Sequence, residues 1–94
     1  MLVKKTIKMW CVYILECRDG SNYTGVTDNI DRRVKRHNEG KGAKYTRGRR
    51  PVRTVYLENG LTEREARRRE REIKSWRRPQ KTSLIKSYSI TLKK

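Results

Sequence analysis

The sequence has few of the residues that mark secreted, zinc-binding or membrane proteins. It contains two cysteines, two prolines and no phenylalanine. Cys11 and Cys17 form no C-x-x-C pair and lie too far apart along one apparent strand to bond, which argues against a zinc or disulfide motif. We therefore expect buried free thiols in a reducing cytoplasm. Residues 1–8 lack the apolar run of a signal peptide, and no run is long enough to span a bilayer.

Acidic residues are also scarce, and positive charge dominates the chain. Lys and Arg number 26 against 10 acidic residues, which gives these 94 residues a net charge of +16. A compact body with this charge attracts polyanions, and counterion release favours binding to nucleic acid. An anionic membrane surface is the rival partner, but the sequence has no long amphipathic helix with a bulky apolar face. Nucleic acid is therefore the expected partner, and no membrane association is expected.

Short apolar clusters predict one α+β domain over residues 10–88, between an extension at 1–9 and a basic tail at 89–94. Periodicity and turn signals predict strands at 10–15, 22–26 and 52–58. They predict helices at 30–38, from the cap at Thr62 to about residue 76, and from Pro79 onward. The continuous apolar run at 10–15 indicates a central strand that is covered on both faces. The order β-β-α-β-α-α predicts a three-stranded antiparallel sheet flanked by helices.

Local signals set several boundaries of these elements. Asp19-Gly20 predicts a tight hairpin between the first two strands, and Asn59-Gly60 predicts a turn after the third. Asp28 or Asn29 can cap the first helix. The segment 62–65, Thr-Glu-Arg-Glu, has the form of a capping box and predicts the start of the next helix.

Glu70 interrupts the apolar stripe of that helix. On a helical projection it falls between Ala66 and Ile73, which mark the buried side. A carboxylate at such a place is unfavourable unless it is paired or binds a metal ion. A metal site, an ion pair, and a helix rotated so that Glu70 faces water are all compatible with the pattern. Lys74, four residues on, is the favourable i, i+4 partner for an ion pair.

Two tyrosines and the chain's single histidine are the next candidates. Tyr13 and Tyr23 lie on neighbouring predicted strands. They are either ordinary half-buried residues, or phenols whose pKa of about 10 is lowered by nearby cations so that they orient or deprotonate water. His37 follows Arg33 by one helical turn. It is either a packing residue or, with Arg33, a group that faces a phosphate.

The segment 39–50 is predicted to be a loop, rich in glycine and cations. Such a charge run is often simply solvated, but cations around an exposed aromatic ring are typical of nucleic-acid binding, and Tyr45 offers that ring. Basic residues of the helix after the third strand suit phosphate contact as well. The predicted nucleic-acid contacts are Lys41, Lys44, Tyr45, Arg47, Arg49, Arg50, Arg67 and Lys74.

Several blocks of sequence occur together in one order. They are Val12-Tyr13-Ile14, Tyr23-Thr24-Gly25, Arg33, His37, Gly42-Ala43-Lys44-Tyr45-Thr46, Arg49-Arg50-Pro51-Val52 and Glu70. In these blocks, over about residues 10–86, the chain resembles the GIY-YIG nuclease superfamily. Within it, the chain resembles small stand-alone proteins related to the N-terminal domain of the excinuclease C subunit. The first motif lacks its glycine, and Val26 stands where excinuclease relatives often carry lysine.

The resemblance implies the GIY-YIG fold and a metal-dependent endonuclease that hydrolyses phosphodiester bonds, with DNA rather than RNA as the substrate, in repair or recombination. Tyr13 and Tyr23 correspond to the two motif tyrosines, and Arg33 to the arginine that contacts the scissile phosphate. His37 takes the place of a histidine or tyrosine of the relatives. Glu70 corresponds to the ligand of a divalent metal ion, Mg²⁺ or Mn²⁺.

A different class of protein accounts for the charge and size equally well. A non-catalytic basic module that binds nucleic acid, associated with RNA or the ribosome, would also be small and arginine-rich. Such a binder gains nothing from a carboxylate that faces phosphate. The combination of Glu70 with Tyr13, Tyr23 and Arg33 therefore favours the nuclease.

Overall fold

The computed structural model describes residues 9–92, with side chains through residue 88, and shows an α+β fold. Residues 1–8 of the predicted extension and the end of the predicted tail, residues 93–94, lie outside the described residues. The elements are β1 (Trp10–Cys17), β2 (Asn22–Thr27), α1 (Ile30–Asn38), α2 (Lys44–Arg47), β3 (Val52–Leu61), α3 (Glu63–Lys74) and α4 (Arg78–Leu92). In the described part of the chain no helix is long and apolar enough to cross a membrane.

The three strands form one antiparallel sheet in the order β2-β1-β3, so the prediction of a central first strand is confirmed. The predicted hairpin joins β1 to β2, and Gly20 adopts φ +84° there, a conformation that favours glycine. In the resulting register Tyr13 lies opposite Gly25, and Leu15 lies opposite Tyr23. This register places the phenol of Tyr13 beside a residue with no side chain.

The central strand is covered on both faces, which explains its unbroken apolar sequence. One face packs under α3 and α4, and its buried cluster is Val12, Ile14, Tyr56, Ala66 and Ile73. The other packs under α1, and its buried cluster is Tyr13, Leu15, Cys17 and Val52, with Ile30 and Val34 of α1 against it. The two cysteines are buried and unpaired, as predicted.

The predicted helix caps are confirmed. Asn29 precedes α1, and its side chain accepts a hydrogen bond from the backbone N–H of Arg32 at 3.1 Å. Thr62 and Glu65 form the reciprocal capping box at the start of α3. Each cap satisfies backbone N–H groups that the first turn of a helix leaves without partners.

Some predicted boundaries are wrong. Residues 44–47 were expected to be loop but form the one-turn helix α2, because the Thr46 side chain and N–H both donate to the carbonyl oxygen of Ala43. The turn expected at Asn59-Gly60 is instead part of β3, which continues to Leu61 and pairs irregularly with Trp10. The last helix continues past residue 89, into the predicted tail, and ends at Leu92.

Candidate active site

Tyr13 lies on the α1 side of the sheet and is 2% exposed. A Cβ atom on Gly25 would lie 2.5 Å from the Tyr13 hydroxyl and 3.1 Å from Cε2 of Tyr23. Gly25 therefore gives the Tyr13 phenol room to lie across β2. The ring centroids of Tyr13 and Tyr23 are 6.4 Å apart, and Tyr23 is the more exposed of the two.

His37 projects from the last turn of α1 into the space beside these rings, and it is 1% exposed. Its Nε2 atom lies 3.2 Å from the Tyr13 hydroxyl oxygen. Its Nδ1 atom lies 2.7 Å from Oγ1 of Thr46, which is fully buried. Both ring nitrogens of His37 are thus engaged by protein groups, so the side chain does not face a phosphate directly.

Burial and neighbouring charges shift the pKa values of both His37 and Tyr13. Burial lowers the pKa of His37, and the positive charge of Arg33 lowers it further. Burial raises the pKa of Tyr13, and neighbouring Tyr23 and Glu70 raise it further, while Arg33 opposes the change. The expectation that cations lower the pKa is wrong for Tyr13, since the loss of hydration outweighs the attraction of Arg33.

Glu70 reaches the same place from α3. Its side chain is 18% exposed, and its Oε2 atom lies 3.2 Å from Nζ of Lys74, so the predicted i, i+4 pair is present. Lys74 Nζ in turn lies 5.9 Å from the ring centroid of Tyr23. Glu70 and Arg33 both act on the pKa of Tyr13. Tyr23 and His37 are thus direct neighbours of Tyr13, and Arg33 and Glu70 lie near enough for their charges to act on it.

The residues present fit a single hard cation of the Mg²⁺ type. Such ions take oxygen ligands, keep several waters, and are often held by one or two carboxylates together with substrate phosphates. Glu70 supplies one carboxylate that is half-buried beside the two phenols. No group of three or more histidine, cysteine or acidic side chains that could hold a metal ion occurs among the described residues. The ion pair with Lys74 is formed by Oε2 of Glu70, so Oε1 can face an ion while that pair is kept.

The predicted nucleic-acid contacts separate into two groups. Four have exposed side chains that make no ion pair between residues 9 and 88: Lys41, Lys44, Arg47 and Arg50. The other three cations are paired with carboxylates, Arg49 with Asp19, Arg67 with Glu63 and Lys74 with Glu70. The first group is therefore available to phosphates without breaking an existing pair.

Tyr45 is 42% exposed, but its ring faces have protein neighbours. The Arg49 guanidinium carbon lies 4.1 Å from its ring centroid, and the Tyr23 ring lies 6.2 Å away and nearly parallel. A base can stack on Tyr45 only if Arg49 moves aside.

Several residues with a place in the site had no predicted role. Arg18 joins Arg47 and Arg50 along an open depression of about 480 Å³, and only its charge could have pointed to it. Thr46 binds His37, and a Cβ atom on Gly42 would collide with the His37 ring, so the loop lies directly against the imidazole. A glycine in a segment that must approach another group closely is the signal that marks Gly42.

The fold and this constellation together define a GIY-YIG domain. The family model described as the GIY-YIG catalytic domain matches residues 9–83, and the chain belongs to that family. Membership indicates nuclease chemistry on nucleic acid, which in this family generally uses a divalent metal ion.

Similar proteins are small and of about the same length. The UPF0213 protein CPE1444 of Clostridium perfringens is 57% identical over 84% of this chain and 85% of its own. The UPF0213 protein SERP0126 of Staphylococcus epidermidis is 54% identical over 79% of this chain and 90% of its own.

Two solved structures share the fold. The solution structure of the UPF0213 protein BH0048 from Bacillus halodurans has a TM-score of 0.55 at 51% identity and covers 83% of each chain. The solution structure of the protein EF2693 from E. faecalis has a TM-score of 0.59 at 39% identity and covers 88% of each chain.

Proposed function

We propose that this protein is a metal-dependent endonuclease that hydrolyses phosphodiester bonds, with DNA as its substrate in repair or recombination. One observation carries the proposal: the hydrogen-bonded pair of Tyr13 and His37 lies beside an arginine, Arg33, and a half-buried carboxylate, Glu70. Base, phosphate ligand and metal ligand are the groups that phosphodiester hydrolysis needs. The choice of DNA follows the resemblance to the excinuclease subunit.

Tyr13 is the proposed base, with His37 as the acceptor of its proton. Because burial raises the pKa of Tyr13, the phenol keeps its proton at neutral pH. Its hydroxyl lies 3.2 Å from Nε2 of His37, which can take that proton when Tyr13 removes one from water. Tyr23 is more exposed and lies beside Tyr13, so it orients the water. The step moves one proton from water to Tyr13 and one from Tyr13 to His37.

Charged residues are proposed to bind the scissile phosphate, the metal ion and the nucleic-acid backbone. Arg33 binds a non-bridging oxygen of the scissile phosphate, since a guanidinium can donate two parallel hydrogen bonds to it. Glu70 would hold Mg²⁺ or Mn²⁺, which when bound supplies charge stabilisation to the phosphate and the leaving oxygen. The exposed cations of the loop, Lys41, Lys44, Arg47 and Arg50, hold the backbone without reading sequence. The buried free thiols suit the reducing cytoplasm, where we place the activity.

The proposal is tested with Glu70→Gln and a matched control, Glu63→Gln. Both glutamates lie on α3 and pair with a cation four residues on, but the Glu63 side chain is 51% exposed, whereas that of Glu70 is 18% exposed, and the two lie about two helical turns apart. Branched and single-stranded DNA and RNA are incubated with each variant, with and without Mn²⁺. We expect Glu70→Gln to lose about 100-fold or more of the metal-dependent cleavage. Its affinity for the same substrates should be unchanged.

The control should cleave as the wild type does. Cleavage by Glu70→Gln at the wild-type rate would refute the assignment of the metal ligand. Salt-sensitive binding by the wild type with no metal-dependent nicking of any substrate would instead leave the non-catalytic binding module as the function.

A further inference from the structure

We propose that Thr46 is a positioning residue that holds the His37 ring with its proton on Nδ1, so that the Nε2 lone pair faces the Tyr13 hydroxyl. The tautomer itself is a property of the folded chain. Its consequence for catalysis rests on the proposed nuclease function.

The direction of the hydrogen bonds follows from counting donors and acceptors. The carbonyl oxygen of Ala43 can only accept, so the Thr46 hydroxyl, 3.0 Å away, donates to it. That hydroxyl has no second proton to give, so at 2.7 Å it accepts from the N–H at Nδ1 of His37. A neutral imidazole has one N–H, which leaves Nε2 as an acceptor for the Tyr13 hydroxyl at 3.2 Å. Each proton has an acceptor in this arrangement.

The opposite arrangement leaves a buried donor without an acceptor. If the Thr46 hydroxyl donated to Nδ1, the proton of His37 would lie on Nε2 and point at the Tyr13 oxygen. The Tyr13 proton would then have no acceptor among the described residues, although this side chain is 2% exposed. Buried donors without acceptors are strongly disfavoured in native proteins. The neutral state of the ring is supported by burial and by Arg33, both of which lower the pKa of His37.

Thr46 is held firmly enough to impose this choice. It is fully buried in α2, its N–H donates to Ala43 at 3.2 Å, and its carbonyl oxygen accepts from the N–H of Arg49 at 3.0 Å. Gly42 lets the same loop lie against the His37 ring, since any larger residue would collide with it. The hydroxyl therefore stands at a fixed point in front of Nδ1. A side chain of the same shape without the hydroxyl would remove this acceptor of the Nδ1 proton.

The chain contains a single histidine, so ring-nitrogen NMR of protein labelled with ¹⁵N-histidine reports on His37 alone. We expect wild type to show a protonated Nδ1 and an unprotonated Nε2. Thr46→Val keeps the shape and removes the hydroxyl, and it should shift the proton toward Nε2. Thr46→Ser keeps the hydroxyl and should restore the wild-type spectrum. In cleavage assays Thr46→Val should lower kcat by about 100-fold with KM unchanged, and Thr46→Ser should recover it.

Two spectra would overturn the proposal. One is a wild-type protein with its proton on Nε2, a result that needs no variant and does not depend on whether Thr46→Val folds. The other is a folded Thr46→Val with the wild-type nitrogen shifts. The spectra also separate the role of Thr46 from the nuclease function. A wild type with the Nδ1 proton that cleaves no substrate would support the role of Thr46 and reject the nuclease function alone.

Discussion

The two faces of β1 are buried to a similar degree, but different forces hold them. Toward α3 and α4 the strand presents Val12 and Ile14, which pack on Ala66 and Ile73. Toward α1 it presents Tyr13, which is hydrogen-bonded to His37. The first face is stabilised by removal of apolar surface from water, which has no preferred direction. The second also buries apolar side chains, Leu15 among them, but it depends in addition on hydrogen bonds that fix each group relative to the next. We call the first the apolar face and the second the polar face.

A domain this small thus combines apolar packing on both faces of its central strand with a buried set of hydrogen bonds on one of them. Every buried side-chain nitrogen and oxygen among the described residues has a hydrogen-bond partner, so the polar face carries no unsatisfied group. A substitution on the apolar face should therefore lower the free energy of unfolding in proportion to the side-chain volume that it removes. A substitution on the polar face should have an effect that grows with the number of hydrogen bonds it disturbs, and it should lower activity before it prevents folding.

On the apolar face, the largest loss of stability is expected from a substitution of Ile73, which is fully buried. Ile73→Ala should lower the free energy of unfolding by about 2–5 kcal/mol, because it removes apolar contacts and leaves a cavity. Urea denaturation measures the loss. Arg71→Ala, at an exposed position on the same helix, is the control and should stay within about 0.5 kcal/mol of wild type. A loss below about 1 kcal/mol for Ile73→Ala would mean that the site collapses and that α3 contributes little to the core.

On the polar face, the hydrogen bonds are disturbed most directly by a substitution of Gly25, where a methyl group would lie 2.5 Å from the Tyr13 hydroxyl. Gly25 does not have a positive φ, so the effect of Gly25→Ala comes from crowding and not from backbone strain. We expect a loss of about 1–3 kcal/mol in unfolding free energy, together with displacement of Tyr13 from His37 and loss of cleavage.

Gly48→Ala is the matched control for this variant. A Cβ atom at Gly48 meets nothing within 4 Å, and its φ is −92°. Its stability should be equal to that of wild type or slightly higher, because alanine restricts the unfolded chain. If Gly25→Ala cleaved normally, the close packing of Tyr13 on β2 would have no part in the activity.

The parts of the molecule that sequence could predict are those set by near neighbours in the chain. The bounds of α1, the two side-chain caps, and the ion pair of Glu70 with Lys74 all follow from spacings of a few residues. Even local spacing can mislead. Glu65 and Arg69 have the favourable i, i+4 spacing of an ion pair, but the Glu65 carboxylate accepts the N–H of Thr62, and Arg69 binds Glu58 and Glu72.

The interior of the candidate site could not be predicted, because its contacts join distant parts of the chain. His37 meets Tyr13 across 24 residues and Thr46 across 9. Nothing in the local pattern of α1 distinguishes a histidine on the surface from one that closes a buried chain of hydrogen bonds. The direction of the change in the pKa of Tyr13 was missed for the same reason. It depends on how deeply the fold buries the phenol, whereas the nearby cations are visible in the sequence.

The smallest expected effect is a pH dependence that belongs to the polar face alone. The pKa of His37 is lower in the folded protein than its ordinary value of 6.5. As pH falls below 6.5, the unfolded chain binds a proton that the folded chain does not. Stability should therefore be constant above that pH and decline below it, by at most about 1.4 kcal/mol per pH unit. Urea denaturation between about pH 7 and about pH 5 measures the slope.

His37→Gln separates this titration from every other one. Asp19 and Glu65 also have lowered pKa values, but their ordinary values of 3.8 and 4.5 place their contributions in more acidic solution. The variant keeps a side chain that can hydrogen-bond and removes the chain's single imidazole. Its unfolding free energy should be flat where the wild type declines. An equal decline in both proteins would show that the proton enters elsewhere and that His37 is not held neutral by the fold.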